Sequence, residues 1–280
     1  MGTASIVPLF LTGSLVYAQF TTGVNLVEVY ATVTDAKGEP VTGLKAADFR
    51  VLQDGAPQAI TTFAAGDVPL SIVIALDRSF SMRGDRLAVA KRAARAFIDA
   101  LRPDDEVMVL AIGSEIQTIT PPVSARDAAA TRWEAIDAWG TTPLYDVTYT
   151  ALDMVQTRRG RRALLVISDG DDRYSERTAT ELIDHARRTD VLVYPVAIGK
   201  TRPPVLVELA SVTGGRSLAA TDPAELERTL PALARELRSQ YLLGYVPPPL
   251  ASEGPAWHAI DVVVDRPGVR VRARDGYFSR

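Results

Sequence analysis

Asp77-Arg78-Ser79-Phe80-Ser81 puts one carboxylate and two hydroxyls within five positions of each other. Hard oxygen donors carrying little negative charge suit a small divalent cation such as Mg2+. At average residue usage a chain of this length holds such a triplet by chance on the order of one time in ten, so its weight depends on further ligands. Two other segments offer them. Leu165-Val166-Ile167-Ser168-Asp169-Gly170 ends an apolar run in a carboxylate, and Gly140-Thr141-Thr142-Pro143-Leu144-Tyr145-Asp146 is a polar loop leading into a helix. Together they supply a carboxylate, two serine hydroxyls, a threonine hydroxyl (from Thr141 or Thr142) and a second carboxylate. With one or two waters this set completes an octahedron around Mg2+ or Mn2+. Two carboxylates only just neutralise a divalent ion, which stays electrophilic and keeps a position for someone else's carboxylate. A structural Ca2+ site normally offers more carboxylates and carbonyls.

The elements that must hold these residues are legible from texture. Pro69-Leu70-Ser71-Ile72-Val73-Ile74-Ala75-Leu76 is short, β-branched and uncharged, a buried strand that ends at Asp77. From 68 to 239 strands and helices alternate. Helices are expected over 83–101, 144–155, 176–188 and 222–238, the last with Thr221 as N-cap, and strands over 106–112, 163–167 and 191–198. Such alternation predicts an α/β fold, a doubly wound and mostly parallel sheet covered by helices on both faces. Ligands in such sheets bind beyond the carboxyl ends of the strands, where Asp77 and Asp169 fall.

The flanks read differently. Short strands are expected over 24–33, 49–52 and 59–63, with Asp54-Gly55 as a hairpin turn, and again over 240–245, 258–264 and 269–273. Neither set of three buries a face alone. The simplest solution pairs the two ends (19–67 with 240–280) into a small β-sandwich, with the α/β domain 68–239 inserted between them. The alternative is two separate flaps docked on the α/β domain.

Composition narrows the chemistry. The 280 residues carry 31 basic and 34 acidic side chains, a formal charge of −3, which favours neither nucleic acid nor an anionic membrane. There are no cysteines and two histidines, so thiolate catalysis, cysteine-based zinc and a histidine relay have almost nothing to work with. Arg158-Arg159-Gly160-Arg161-Arg162 reads as a solvated turn, Asp171 and Asp172 as surface acids, and His185 as a packing or surface residue. Residues 4–18 are apolar and end in Val16-Tyr17-Ala18, a small-x-small pattern. They read as a signal peptide cleaved after Ala18, which points to a secreted, periplasmic or extracellular protein with no later segment of transmembrane length.

The middle of the chain resembles a von Willebrand factor type A domain, whose metal-ion-dependent adhesion site combines Asp-x-Ser-x-Ser, a Thr loop and an Asp-Gly loop. With Gly43-Leu44-Lys45-Ala46-Ala47-Asp48-Phe49, Asp54-Gly55 and the tail 269–278, residues 23–280 resemble the bacterial secreted family of such proteins. The resemblance implies that Asp77, Ser79, Ser81, Thr142 and Asp169 hold Mg2+, or Mn2+ or Ca2+ in its place. It implies a non-enzymatic module that binds an acidic side chain of a protein partner. Arg78 and Phe80 depart from it, since small residues are usual there. The plain alternatives are Asp77 and Ser81 capping the following helix, Asp169-Gly170 as an ordinary turn, and Thr141-Thr142-Pro143 as a simple helix start. The functional alternatives are a Mg2+-dependent hydrolase and a structural envelope protein.

Overall fold

The computed structural model describes residues 26–66, 68–199, 202–249 and 254–279; the expected signal peptide lies outside them. The N-terminal strands are β1 (Val27–Thr34), β2 (Phe49–Gln53), β3 (Ala56–Gln58) and β4 (Ile60–Ala65). Asp54 and Gly55, both at positive φ (52° and 79°), turn β2 back into β3, as Asp-Gly pairs do in two-residue hairpins. The central series is β5 (Leu70–Asp77), α1 (Asp85–Asp99), β6 (Glu106–Ile112), β7 (Ile116–Ser124) and a one-turn α2 (Ala125–Ala128). It continues through α3 (Leu144–Gln156), β8 (Arg161–Ser168), α4 (Ala179–Arg187), β9 (Val191–Ile198), α5 (Pro204–Thr213), β10 (Leu218–Ala220) and α6 (Pro223–Arg238). The chain closes with β11 (Tyr241–Tyr245), β12 (Trp257–Val264), β13 (Arg270–Arg272) and β14 (Gly276–Phe278).

The central strands form one sheet in the order β10-β9-β8-β5-β6-β7, parallel except for β7. Alternation along β5 sends Ile72, Ile74 and Leu76 into a core with Ala90 and Phe97 of α1 and Leu230 and Leu237 of α6. Val73 and Ala75 point the other way, to Leu152 of α3, Leu182 of α4 and Leu209 of α5. Burial on both faces is why β5 is apolar throughout rather than alternating, each full burial of a large apolar side chain contributing about 1.5–3 kcal/mol. The sequence gives no expectation of β7: Pro121 and Pro122 interrupt it, which an edge strand tolerates because one side of its backbone needs no ladder.

The flanking strands make two four-stranded sheets, β13-β1-β11-β4 and β14-β12-β2-β3. Each mixes strands from both ends of the chain, unlike two separate flaps. Val29, Phe49, Val51, Leu243, Tyr245 and Ile260 share one apolar cluster across them.

Two local expectations are corrected. Asp222, not Thr221, caps α6, its carboxylate accepting from Ala224 N at 3.0 Å. Arg161 is not part of a solvated turn: it is 1% exposed, its guanidinium lies over the Tyr30 ring, and its Nη1 donates to the Leu237 carbonyl. Arg161 opens β8, and the Tyr30 ring of β1 that it meets packs into the same apolar core as β5, α1 and α6.

Candidate metal centre

From β5 the chain moves to β6 on one side, and from β8 it moves to β9 on the other. The connections therefore diverge between β5 and β8, and a crevice opens beyond their carboxyl ends. Leu76 pairs with Ile167 in register, so Asp77 and Ser168 are the next residues out on each strand.

Asp77 is fully buried there. Its Oδ1 accepts from Ser79 N at 2.8 Å and from Thr142 Oγ1 at 2.8 Å, and its Oδ2 accepts from Ser168 Oγ at 2.6 Å. The Ser79 and Ser81 hydroxyls stand 3.0 Å apart. Asp169 follows Ser168, and the 170–175 loop folds back so that Arg173 N donates to the Thr142 carbonyl at 2.8 Å. Asp172, expected as a surface acid, accepts from Tyr145 N at 3.1 Å and Ser175 Oγ at 2.6 Å and so ties this loop to the start of α3.

The structure thus brings Asp77, Ser79, Ser81, Thr142 and Asp169 to one sheet edge. Of the two neighbouring threonines, Thr142 is 2% exposed and bonded to Asp77, whereas Thr141 turns to Ser114, whose Oγ accepts from Thr141 N at 3.0 Å. Gly140 makes that turn possible. Its φ is 80°, and a Cβ there would come within 2.5 Å of Ser114 Oγ. The capping alternative does not describe these residues, because Gly84 occupies the N-cap position of α1 and makes no side-chain cap bond.

The donor set fits a hard cation. Burial holds the Asp77 carboxyl above the usual carboxylate range, and the bonds from Ser168, Ser79 and Thr142 offset only part of that rise. Among the described residues no arginine, lysine or histidine pairs with Asp77, and buried carboxylates are ordinarily paired or bound to metal. Among the described residues no three histidine, cysteine or acidic side chains converge, at this edge or elsewhere, so the donor set here is mainly hydroxyls.

The arginines fall otherwise than their position in the triplet suggests. Arg78 lies over the Trp139 ring (5.3 Å to its centroid) and Arg83 over the Phe80 ring (5.2 Å). The side chain that reaches the site is Arg86, from the first turn of α1: its Nη1 is 3.1 Å from the Ser81 carbonyl and 3.4 Å from Asp169 Oδ2. Sequence reasoning missed Arg86 and Ser168. Strand register alone would have found Ser168, whereas Arg86 depends on how α1 docks.

Residues 72–171, which carry Asp77, Ser79, Ser81, Thr142 and Asp169, match the family described as the von Willebrand factor type A domain. No curated protein matches the sequence. Among solved structures, a von Willebrand factor type A protein from Catenulispora acidiphila is 15% identical, with a TM-score of 0.54 over 90% of this chain and 73% of that one. The ArnB paralog VWA2 from Sulfolobus acidocaldarius is 16% identical, with a TM-score of 0.52 over 90% and 75%. Proximal thread matrix protein 1 of the mussel byssus is 11% identical, with a TM-score of 0.53 over 66% and 51%. At these identities the likeness is one of fold.

Proposed function

We propose that this protein is an exported, non-enzymatic binding module that engages an acidic side chain of a protein partner through a divalent cation at the β5–β8 edge. Asp77, Ser79, Ser81, Thr142 and Asp169 would hold the cation, Mg2+ by preference, with Mn2+ or Ca2+ as substitutes. When bound, the ion supplies an electrophilic position that accepts a carboxylate oxygen. The chain's own residues do the rest. Ser168 and Ser79 N fix the Asp77 carboxylate from both oxygens, and Thr142 closes the third side. The single observation that carries the reading is this buried, hydroxyl-bonded carboxylate with no cationic side chain paired to it.

A hydrolase would need an acid or base beside the reacting group. The hydrogen-bond partners of Asp77 are hydroxyls and an amide, with no histidine or lysine among them. The test is retention of exported proteins on immobilised wild type and Asp77→Asn. Release by chelator from the wild type alone supports binding; metal-dependent turnover of a phosphate ester, lost in Asp77→Asn, would replace it with the hydrolase. In the described residues no helix is long and apolar enough to cross a membrane.

A further inference from the structure

Seven large hydrophobic side chains are exposed among the described residues, and two of them flank the candidate centre: Phe80 at 54% and Trp139 at 46%. They sit on loops bonded to each other, Phe80 N donating to the Gly140 carbonyl at 3.0 Å and Trp139 N to the Arg78 carbonyl at 2.7 Å. The rings are therefore held by the same backbone contacts that position Ser79, Ser81 and Thr142. Each ring also carries a guanidinium over it, Arg83 on Phe80 and Arg78 on Trp139. Stacking of this kind restrains rings that would otherwise rotate.

Charge decides what such a rim can receive. Among the described residues no carboxylate pairs with Arg78 or Arg83, while Asp169 faces Arg86 and Asp171 pairs with Arg173. The rim is thus cationic around two apolar rings. Apolar surface of this size next to unpaired arginines is the composition of a binding hot spot rather than of ordinary protein surface.

Resting on the cation reading above, we propose that the partner segment is an acidic residue with a large apolar residue beside it. The acid reaches the oxygen cluster, and the apolar neighbour packs on Phe80 and Trp139. Arg78 and Arg83 favour the acidic segment over a basic one and, together with the rings, exclude water around the carboxylate. A bare acidic patch without an apolar neighbour binds weakly here, because it leaves both rings in water.

The experiment uses displayed random peptides with a fixed central Asp or Glu, selected on the whole protein in Mg2+, beside a matched library with Asn or Gln fixed instead. Clones eluted by chelator should come from the acidic library and carry Phe, Tyr, Trp, Leu, Ile or Met next to the acid. A peptide made from the most enriched clone should lose about tenfold in affinity when its apolar neighbour becomes Ser, and about tenfold with Phe80→Ala or Trp139→Ala. The two losses should not add, because they remove one contact. Calorimetric Mg2+ binding should be unchanged in both ring variants. Acidic clones with no neighbour preference, or peptides indifferent to both ring substitutions, overturn the rim and leave the cation reading standing. Equal, chelator-insensitive yields from the two libraries overturn both.

Discussion

Two polar clusters of this protein use nearly the same groups to opposite ends. At the junction between the α/β sheet and the flanking sheets, Glu236 of α6 is 6% exposed, and Arg272 of β13 and Arg216 pair with its two oxygens, Arg216 at 2.9 Å. Gln240 beside it donates to Thr32 Oγ1 at 2.9 Å and to Tyr194 OH at 3.0 Å. At the β5–β8 edge Asp77 is as deeply buried, yet its partners are hydroxyls and an amide. One carboxylate has its counter-charges inside the chain. The other has none among the described residues, and on the proposed reading a cation from outside supplies it.

That difference can be broken from either side. The largest expected effect is at the junction. Glu236→Gln removes the buried counter-charge of Arg272 and Arg216, whose side chains are 27% and 42% exposed, and should cost about 2 kcal/mol, measured by denaturant unfolding, with Mg2+ affinity unchanged. At the edge, Ser168→Ala removes the bond that orients Asp77 Oδ2. It should lower Mg2+ affinity about tenfold and stability by only about 1 kcal/mol, read by calorimetry and unfolding of the same preparation. A junction-like stability loss in Ser168→Ala, with affinity intact, would mean that the edge is structural. The smallest effect is the most particular to this chain. Arg86 is an exposed cation 3.4 Å from Asp169, so Arg86→Gln should raise Mg2+ affinity about two- to threefold at low salt, the gain shrinking as salt is added.

Much of this contrast is visible in the sequence, and what is hidden has a physical cause. Asp77 and Asp169 are legible because each terminates an apolar run, and a strand end in a doubly wound sheet is where ligands bind. Thr142 is legible as one of two adjacent hydroxyls, and the choice between them rests on the left-handed turn at Gly140. Arg161 is misread as solvated, since a run of arginines carries no sign of which one meets the Tyr30 ring. Arg86 and the pairing of Glu236 with Arg272 are invisible for the same reason: they join residues from separate elements whose docking only the packed core decides. Phe80 stands out as a departure from the family resemblance, but its adjacency to Trp139 comes from loop-to-loop backbone bonds.

The central claim is that Asp77 is left without a counter-charge so that a divalent cation can supply one. Calorimetric titration of the whole chain with Mg2+, wild type beside Asp77→Asn, tests it most directly. Asn keeps the size of the side chain and one acceptor oxygen, and replaces the other oxygen and the charge with an amide NH2. The account predicts one Mg2+ per wild-type chain, with a rise in melting temperature, and neither in Asp77→Asn. Equal binding by the two proteins, or none by the wild type, would contradict it.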